Sequence, residues 1–241
     1  MKPFWAGVDG CRGGWAVATV DAARAVASIR VLGTFAEVLV ETTGAELILA
    51  DVPIGLPSAE CARDRLCDTM VRRELGARAS SVFPVPAREA VWAPDYAEAC
   101  RRNEQILERK LSRQSWGICP KIREADAVFR LSPGLQQRVR ETHPELCFWR
   151  LNGGKTLENS KKTAAGQRIR RELLRGWTAN LDAALRQARG SYRSRALDLD
   201  DSLDAVAAAV VARMAAENQA GSVPLAQETD ACGLVMEIVG V

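Results

Sequence analysis

The sequence holds a single histidine, His143, in 241 residues. Whatever chemistry it carries must therefore run almost without imidazole. Its seven cysteines, at 11, 61, 67, 100, 119, 147 and 232, are odd in number, scattered, and contain no Cys-x-x-Cys pair. That spacing argues against a zinc site and against a disulfide framework, and it reads as reduced thiols in a cytoplasmic protein. No apolar run approaches the roughly 20 residues that span a bilayer, so no membrane association is expected. The start of the chain lacks the apolar stretch of a secretory signal. Internal repeats and low-complexity tails are missing as well.

What is present is an ordinary apolar content of 47% and a strong segregation of charge under a net +3. Residues 101–140 carry ten Lys/Arg against four Asp/Glu, and residues 150–175 carry eight against two. Residues 196–241 carry one against eight. A basic middle and an acidic end suit a polyanionic substrate held near a cluster of carboxylates. Solvated helix faces would give the same basic runs.

The β-branched and apolar segments 4–9, 15–20 and 25–32 predict three strands, close enough in sequence to form an antiparallel meander. Thr34 is placed to cap a helix over 35–41. E-L-I-L-A-D at 46–51 reads as a fully buried strand, ended by Pro53 and G-L-P at 55–57. Helices are expected over 59–75, 96–110, up to 131, 161–174, 178–189 and 201–217, with strands at 137–141 and 234–239. The result is an α/β chain: one domain over 1–241 with a mixed five-stranded sheet, in which an antiparallel three-strand meander joins parallel strands. Helices flank the sheet, and a basic helical and loop insertion spans about 58–135.

Two apolar strands each end in an aspartate, Asp9 and Asp51, and the alanine-rich helix opens with D-D-S-L-D-A. Residues three apart share a helix face, so Asp201 and Asp204 point the same way. The small residues that follow let this helix lie close to a sheet. Hard divalent cations take oxygen ligands, and Mg²⁺ prefers carboxylates together with water and phosphate oxygens. Two such ions about 4 Å apart activate water and stabilise the leaving oxygen in phosphodiester cleavage, which needs no histidine. Other roles stand beside this one. Asp9 fits a hairpin turn, Asp51 fits the loop before Pro53, and Asp200 or Asp201 fits a helix N-cap.

This order of strands, helix, strand and final D-x-x-D-A helix resembles the RNase H-like superfamily of metal-dependent nucleases, and most of all its Holliday-junction resolvase branch. The resemblance carries the family's acidic positions onto Asp9, Asp51, Asp201 and Asp204. The fourth-strand acid of the resolvases is usually glutamate, so Asp51 is a shorter departure from it. A closer resemblance covers almost the whole chain. V-D-G-C-R-G-G-W, D-V-P-I-G-L-P, S-S-V-F-P-V-P-A-R, S-R-Q-S-W-G-I-C-P-K-I-R-E, H-P-E-L-C-F-W-R-L-N-G-G, S-K-K-T and D-S-L-D-A are similar to the domain of unknown function 429. That family is often labelled a predicted RNase H-fold nuclease.

Further residues join the candidate site. Glu145 is a possible extra ligand or water-orienting base, and His143 a proton-transfer aid or a structural residue. Arg12 follows Asp9. Arg78 and Arg88 flank a Pro-rich loop, Arg113, Lys121 and Arg123 surround Trp116, and Lys161 and Lys162 stand at a helix start. All are suited to phosphate, and all fit ion pairs or solvent equally. The leading expectation is a Mg²⁺- or Mn²⁺-dependent phosphodiester hydrolase, a nuclease. Its catalytic residues are Asp9, Asp51, Glu145 and Asp204, and its substrate is a nucleic acid or another phosphoester. An ATP-dependent phosphotransferase of the sugar-kinase and actin-like kind is one alternative, since D-G-C-R-G-G offers backbone N–H groups to phosphate. A non-catalytic nucleic-acid-binding module is the other. Cleavage of a junction would call for a homodimer.

Overall fold

The structure, a computed structural model, describes residues 2–192 and 195–241. Strands β1 (Phe4–Cys11) and β2 (Gly14–Asp21) form an antiparallel hairpin whose turn is Arg12 and Gly13. Gly14 is required at its end. It has φ +128°, and a Cβ there would lie 2.1 Å from the carbonyl of Leu32. Strand β3 (Val26–Leu32) adds antiparallel to β2, and helix α1 (Phe35–Glu41) follows, with Thr34 accepting from the Glu37 N–H at 3.2 Å. Trp15 and Phe35, both buried, meet edge to face at 5.1 Å between ring centres. The wholly buried β4 (Ile48–Ala50) pairs parallel with β1.

Beyond Asp51 the chain enters a second compact unit, made of Val52–Gln137 and Ser222–Ile238. It contains α2 (Leu66–Leu75), α3 (Arg88–Val91), α4 (Tyr96–Leu107) and α5 (Arg113–Leu131). The first unit comprises the chain up to Asp51, Arg138–Gly221 and Val239–Val241. It resumes with β5 (Val139–Glu141), parallel to β4, then α6 (Pro144–Leu151), α7 (Ala164–Arg175), α8 (Leu181–Ser191) and α9 (Leu199–Ala216). The five strands run β3-β2-β1-β4-β5, a mixed sheet with its antiparallel meander on one side and its parallel strands on the other.

Helix α9 covers β1 and β2, and the reason lies in side-chain size. A Cβ on Gly7 would stand 2.1 Å from the Ala205 carbonyl and 2.3 Å from the Ala209 N–H nitrogen, so only glycine admits the helix at that height. Ala205, Ala208, Ala209 and Ala212 continue the close approach, joined in one core by Ala16, Ala18, Phe148 and Leu174. Residues two apart on a strand share a face. Gly7 and Asp9 therefore both look toward α9.

Several boundaries differ from expectation for local reasons. Helix α2 begins at Leu66 rather than near 59, because Ser58 and Cys61 exchange backbone hydrogen bonds and Arg65 is extended. Helix α7 begins at Ala164, with Thr163 accepting from the Gly166 N–H at 3.1 Å, which leaves Lys161 and Lys162 in a turn. The segment 113–124 is helical within α5 despite Pro120, with Ser112 as its N-cap. Residues 144–151 form a helix that hydrophobic periodicity did not show, with Pro144 in its first turn. The final strand shrinks to Ile238–Val239, because the Asp230 carboxylate accepts from Cys232 and Leu234 N–H and curls the chain before it. Among the described residues, no helix is long and apolar enough to cross a membrane.

Candidate active site

Asp9 is not a turn residue. It sits inside β1 opposite Ala16, is 6% exposed, and faces α9. Asp51 follows β4 directly, and its N–H donates to the Val8 carbonyl at 2.8 Å, which places it beside Asp9 at the carboxyl end of two parallel strands. From above, α9 supplies Asp204, 1% exposed, with Asp201 one turn before it. Asp201 also serves the helix. Its Oδ2 accepts from the Asp198 N–H at 3.1 Å, while the Asp198 side chain caps the N–H of Asp201 in return. The cap is thus Asp198, not Asp200 or Asp201, and Asp201 is only partly available to anything else.

Gathering these acids has an electrostatic cost that their proton affinities record. The Asp9 carboxyl is held well above the usual aspartate range by burial first, then by the charges of Asp204 and Asp51. Burial also raises Asp204, to about 6, even though the Lys161 ammonium pulls it down. Asp201 is raised by burial too. Lys161 donates to Asp204 Oδ2 at 2.5 Å. Burial opposes its charge, but Asp204, Asp9 and Asp51 outweigh burial and keep it above the ordinary lysine value. The other oxygen of Asp204, Oδ1, is buried with no hydrogen-bond partner.

Around this centre stand supporting groups. Lys162 donates to Asp200 Oδ2 at 2.7 Å. Glu145, at the start of α6, is engaged by Arg170 at 2.5 Å. Arg170 is wholly buried, also donates to the Asn159 carbonyl at 2.9 Å, and lies over the Phe148 ring. Sequence reasoning overlooked it, although buried Gly166, Arg170 and Leu174 repeat at the spacing of one helix face. His143 lies at the N-cap of α6, where its carbonyl accepts from the Cys147 N–H. Cys147 is no nucleophile. Burial pushes its thiol up to about 12, against a hydrogen bond with Thr142 and with the Asp51 and Asp204 charges adding to the rise. Arg12 is exposed in the hairpin turn.

The remaining basic candidates belong to the second unit. Arg88 is buried and holds Asp126 at 3.0 Å and Asp230 at 2.5 Å, while the Trp92 indole N–H donates to Asp126 at 2.9 Å. Its role there is to neutralise two buried acids. Arg113 stacks on Tyr96 at 3.8 Å from the ring centre, and Arg123 stands 5.9 Å from that of half-buried Trp116. Arg78 lies in a 3₁₀ turn over Gly76–Ser81, and Lys121 is half-buried on α5.

Among the described residues, no three His, Cys, Asp or Glu side chains converge closely enough to enclose a metal ion by themselves. The donor chemistry nevertheless fits a hard divalent cation. Asp51 adds to the raised proton affinities of Asp9 and Asp204, and one buried oxygen of Asp204 lacks a partner. The family described as "Protein of unknown function (DUF429)" matches residues 7–229. No curated protein and no solved structure matches the chain.

Proposed function

We propose that this chain, which belongs to the DUF429 family, is a metal-dependent phosphodiester hydrolase of the nuclease class. The observation that carries the reading is Asp204 Oδ1, buried and unpartnered on α9, whose carboxylate adds its charge to that of Asp51 at buried Asp9. The five-stranded order and the position of α9 support an RNase H-like relationship.

Asp9, Asp51 and Asp204 would hold Mg²⁺ or Mn²⁺, with Asp201 as a partial ligand. When bound, such an ion acidifies water and screens phosphate charge. The chain's own residues set the rest. Gly7 fixes the height of α9 and hence the gap between Asp204 and Asp9. The Asp198–Asp201 box fixes the first turn of α9. Arg170 neutralises Glu145, so Glu145 acts as a support for the site and not as its base. In hydrolysis the water oxygen bonds to phosphorus, the ester P–O bond breaks, and the leaving oxygen gains a proton. The substrate would be a nucleic acid or another phosphoester, and a branched substrate would call for a dimer.

The non-catalytic reading draws on one observation, the Lys161–Asp204 pair, which offsets part of the cluster's charge without any metal. Cleavage assays on DNA, RNA and a branched junction with Mg²⁺ or Mn²⁺ separate the two. Hydrolysis that Asp9→Asn lowers on the order of a thousandfold or more is the expected result. No cleavage of any substrate with either metal would overturn the reading.

A further inference from the structure

We infer that Lys161 is a catalytic residue that takes the place of a second metal ion: the cluster accepts one divalent cation, and the Lys161 ammonium supplies the other positive charge to the substrate phosphate. The inference rests on the hydrolase reading above and narrows its metal requirement from two ions to one.

The first argument is the division of Asp204. A carboxylate shared by two metal ions gives one oxygen to each. Here Oδ2 is already given to Lys161 Nζ at 2.5 Å, and Oδ1 alone is buried and without a partner. One oxygen is thus assigned to a side-chain cation and one remains for an ion. The second argument is charge. Asp51, Asp201 and Asp204 all act on buried Asp9, and Lys161 acts on Asp9, Asp51 and Asp204 alike. Arg170 is matched by Glu145 and Lys162 by Asp200. Four negative charges against one ammonium leave room for a single divalent ion with a small negative remainder. A second ion would turn the site cationic and add to the charge of the ammonium.

The third argument is that Lys161 is built in place. A Cβ on Gly166 would lie 2.0 Å from the Ser160 carbonyl, so the turn carrying Lys161 packs directly on the first turn of α7. Thr163 closes that turn, its N–H and hydroxyl both donating to the Ser160 carbonyl, at 3.0 and 2.8 Å. Arg170 holds the Asn159 carbonyl just before it. A solvated surface lysine has no such mounting. The side chain is 34% exposed, and an ammonium has three donors, of which Asp204 takes one, so donors are left for phosphate oxygens. In the reaction Lys161 keeps its proton and supplies charge alone. The proton released by the attacking water ends on the leaving ester oxygen.

Calorimetric titration of the full chain with Mn²⁺ tests this, read as ions bound per chain and as affinity. One ion is expected for the wild type. Lys161→Met retains the length of the stem and removes the charge. It is expected to bind a second ion, or the first about tenfold or more tightly, while hydrolysis falls about a hundredfold. Lys161→Arg is expected to return the count to one, and thermal unfolding of each variant checks that it is folded. Two ions in the wild type, or unchanged count and affinity in Lys161→Met, overturn the role of Lys161 and leave the hydrolase reading standing. No Mn²⁺ bound by wild type or by Lys161→Met overturns both.

Discussion

Asp9 and Asp204 are kept where a carboxylate is least comfortable, buried and facing other acids. In the metal-free protein this lowers stability at neutral pH. Asp204 titrates at about 6 when folded against an ordinary 3.8, so between those values the folded state binds more protons than the unfolded one. Its contribution to stability therefore falls as pH rises through that window, by about 3 kcal/mol, and stays lost above it. Asp9 acts in the same direction. Urea unfolding with a chelator present should accordingly give a higher midpoint near pH 5 than near pH 7.5, and Asp204→Asn should flatten the difference. Asp9→Asn should raise the midpoint at neutral pH while abolishing hydrolysis, because the amide buries without charge. The identity of these acids was legible in the sequence, since two apolar strands ending in aspartate and a D-x-x-D helix are local patterns. The diversion of Asp201 into a capping box was not, because it depends on the helix starting at Leu199 and not two residues later. Arg170 escaped notice for a related reason: a basic residue in a basic helix looks solvated until the packed face is known.

At the scale of elements, the site is a product of how α9 meets β1. Gly7→Ala should destabilise by about 3 kcal/mol or more, or prevent folding, since its Cβ meets backbone atoms of Ala205 and Ala209 that cannot rotate away. Asp198→Ala, which removes the cap, should lower stability by about 1 kcal/mol in chemical denaturation and lower activity through the first turn that carries Asp201. The meander, the buried fourth strand and the alanine-rich helix were readable because their periodicity and punctuation are strong. Helix α6 was not, since its eight residues mix Pro144, Glu145 and a nearly continuous apolar run. The starts of α2 and α7 depended on backbone bonds made by Ser58 and Ser160, which no propensity encodes.

Across the whole molecule, the chain leaves the first unit at Asp51, returns at Arg138, leaves again at Gly221 and returns at Val239. The long excursion shows in the sequence as a basic, loop-rich segment. The short one, Ser222–Ile238, does not, because its membership is decided by contacts distant in sequence, such as that of Asp230 with Arg88. Arg88→Ala would leave Asp230 buried without its cation and Asp126 with only Arg130 at 3.9 Å, at a cost of about 3–5 kcal/mol. Hydrogen exchange should report that loss as faster exchange in α3 and α5, with β1 and β4 retaining their protection.

Cys147 and Cys119 give the two units separate clocks. Each is a buried free thiol, one beneath the carboxylates and one on α5, and burial raises them to about 12 and about 11. An alkylating reagent reaches such a sulfur only when its surroundings open, so the rate of labelling counts openings, with exposed Cys232 marking the unprotected rate. A divalent ion held by Asp9 and Asp204 should slow the Cys147 clock and leave that of Cys119 running, and Arg88→Ala should do the reverse by quickening Cys119 alone.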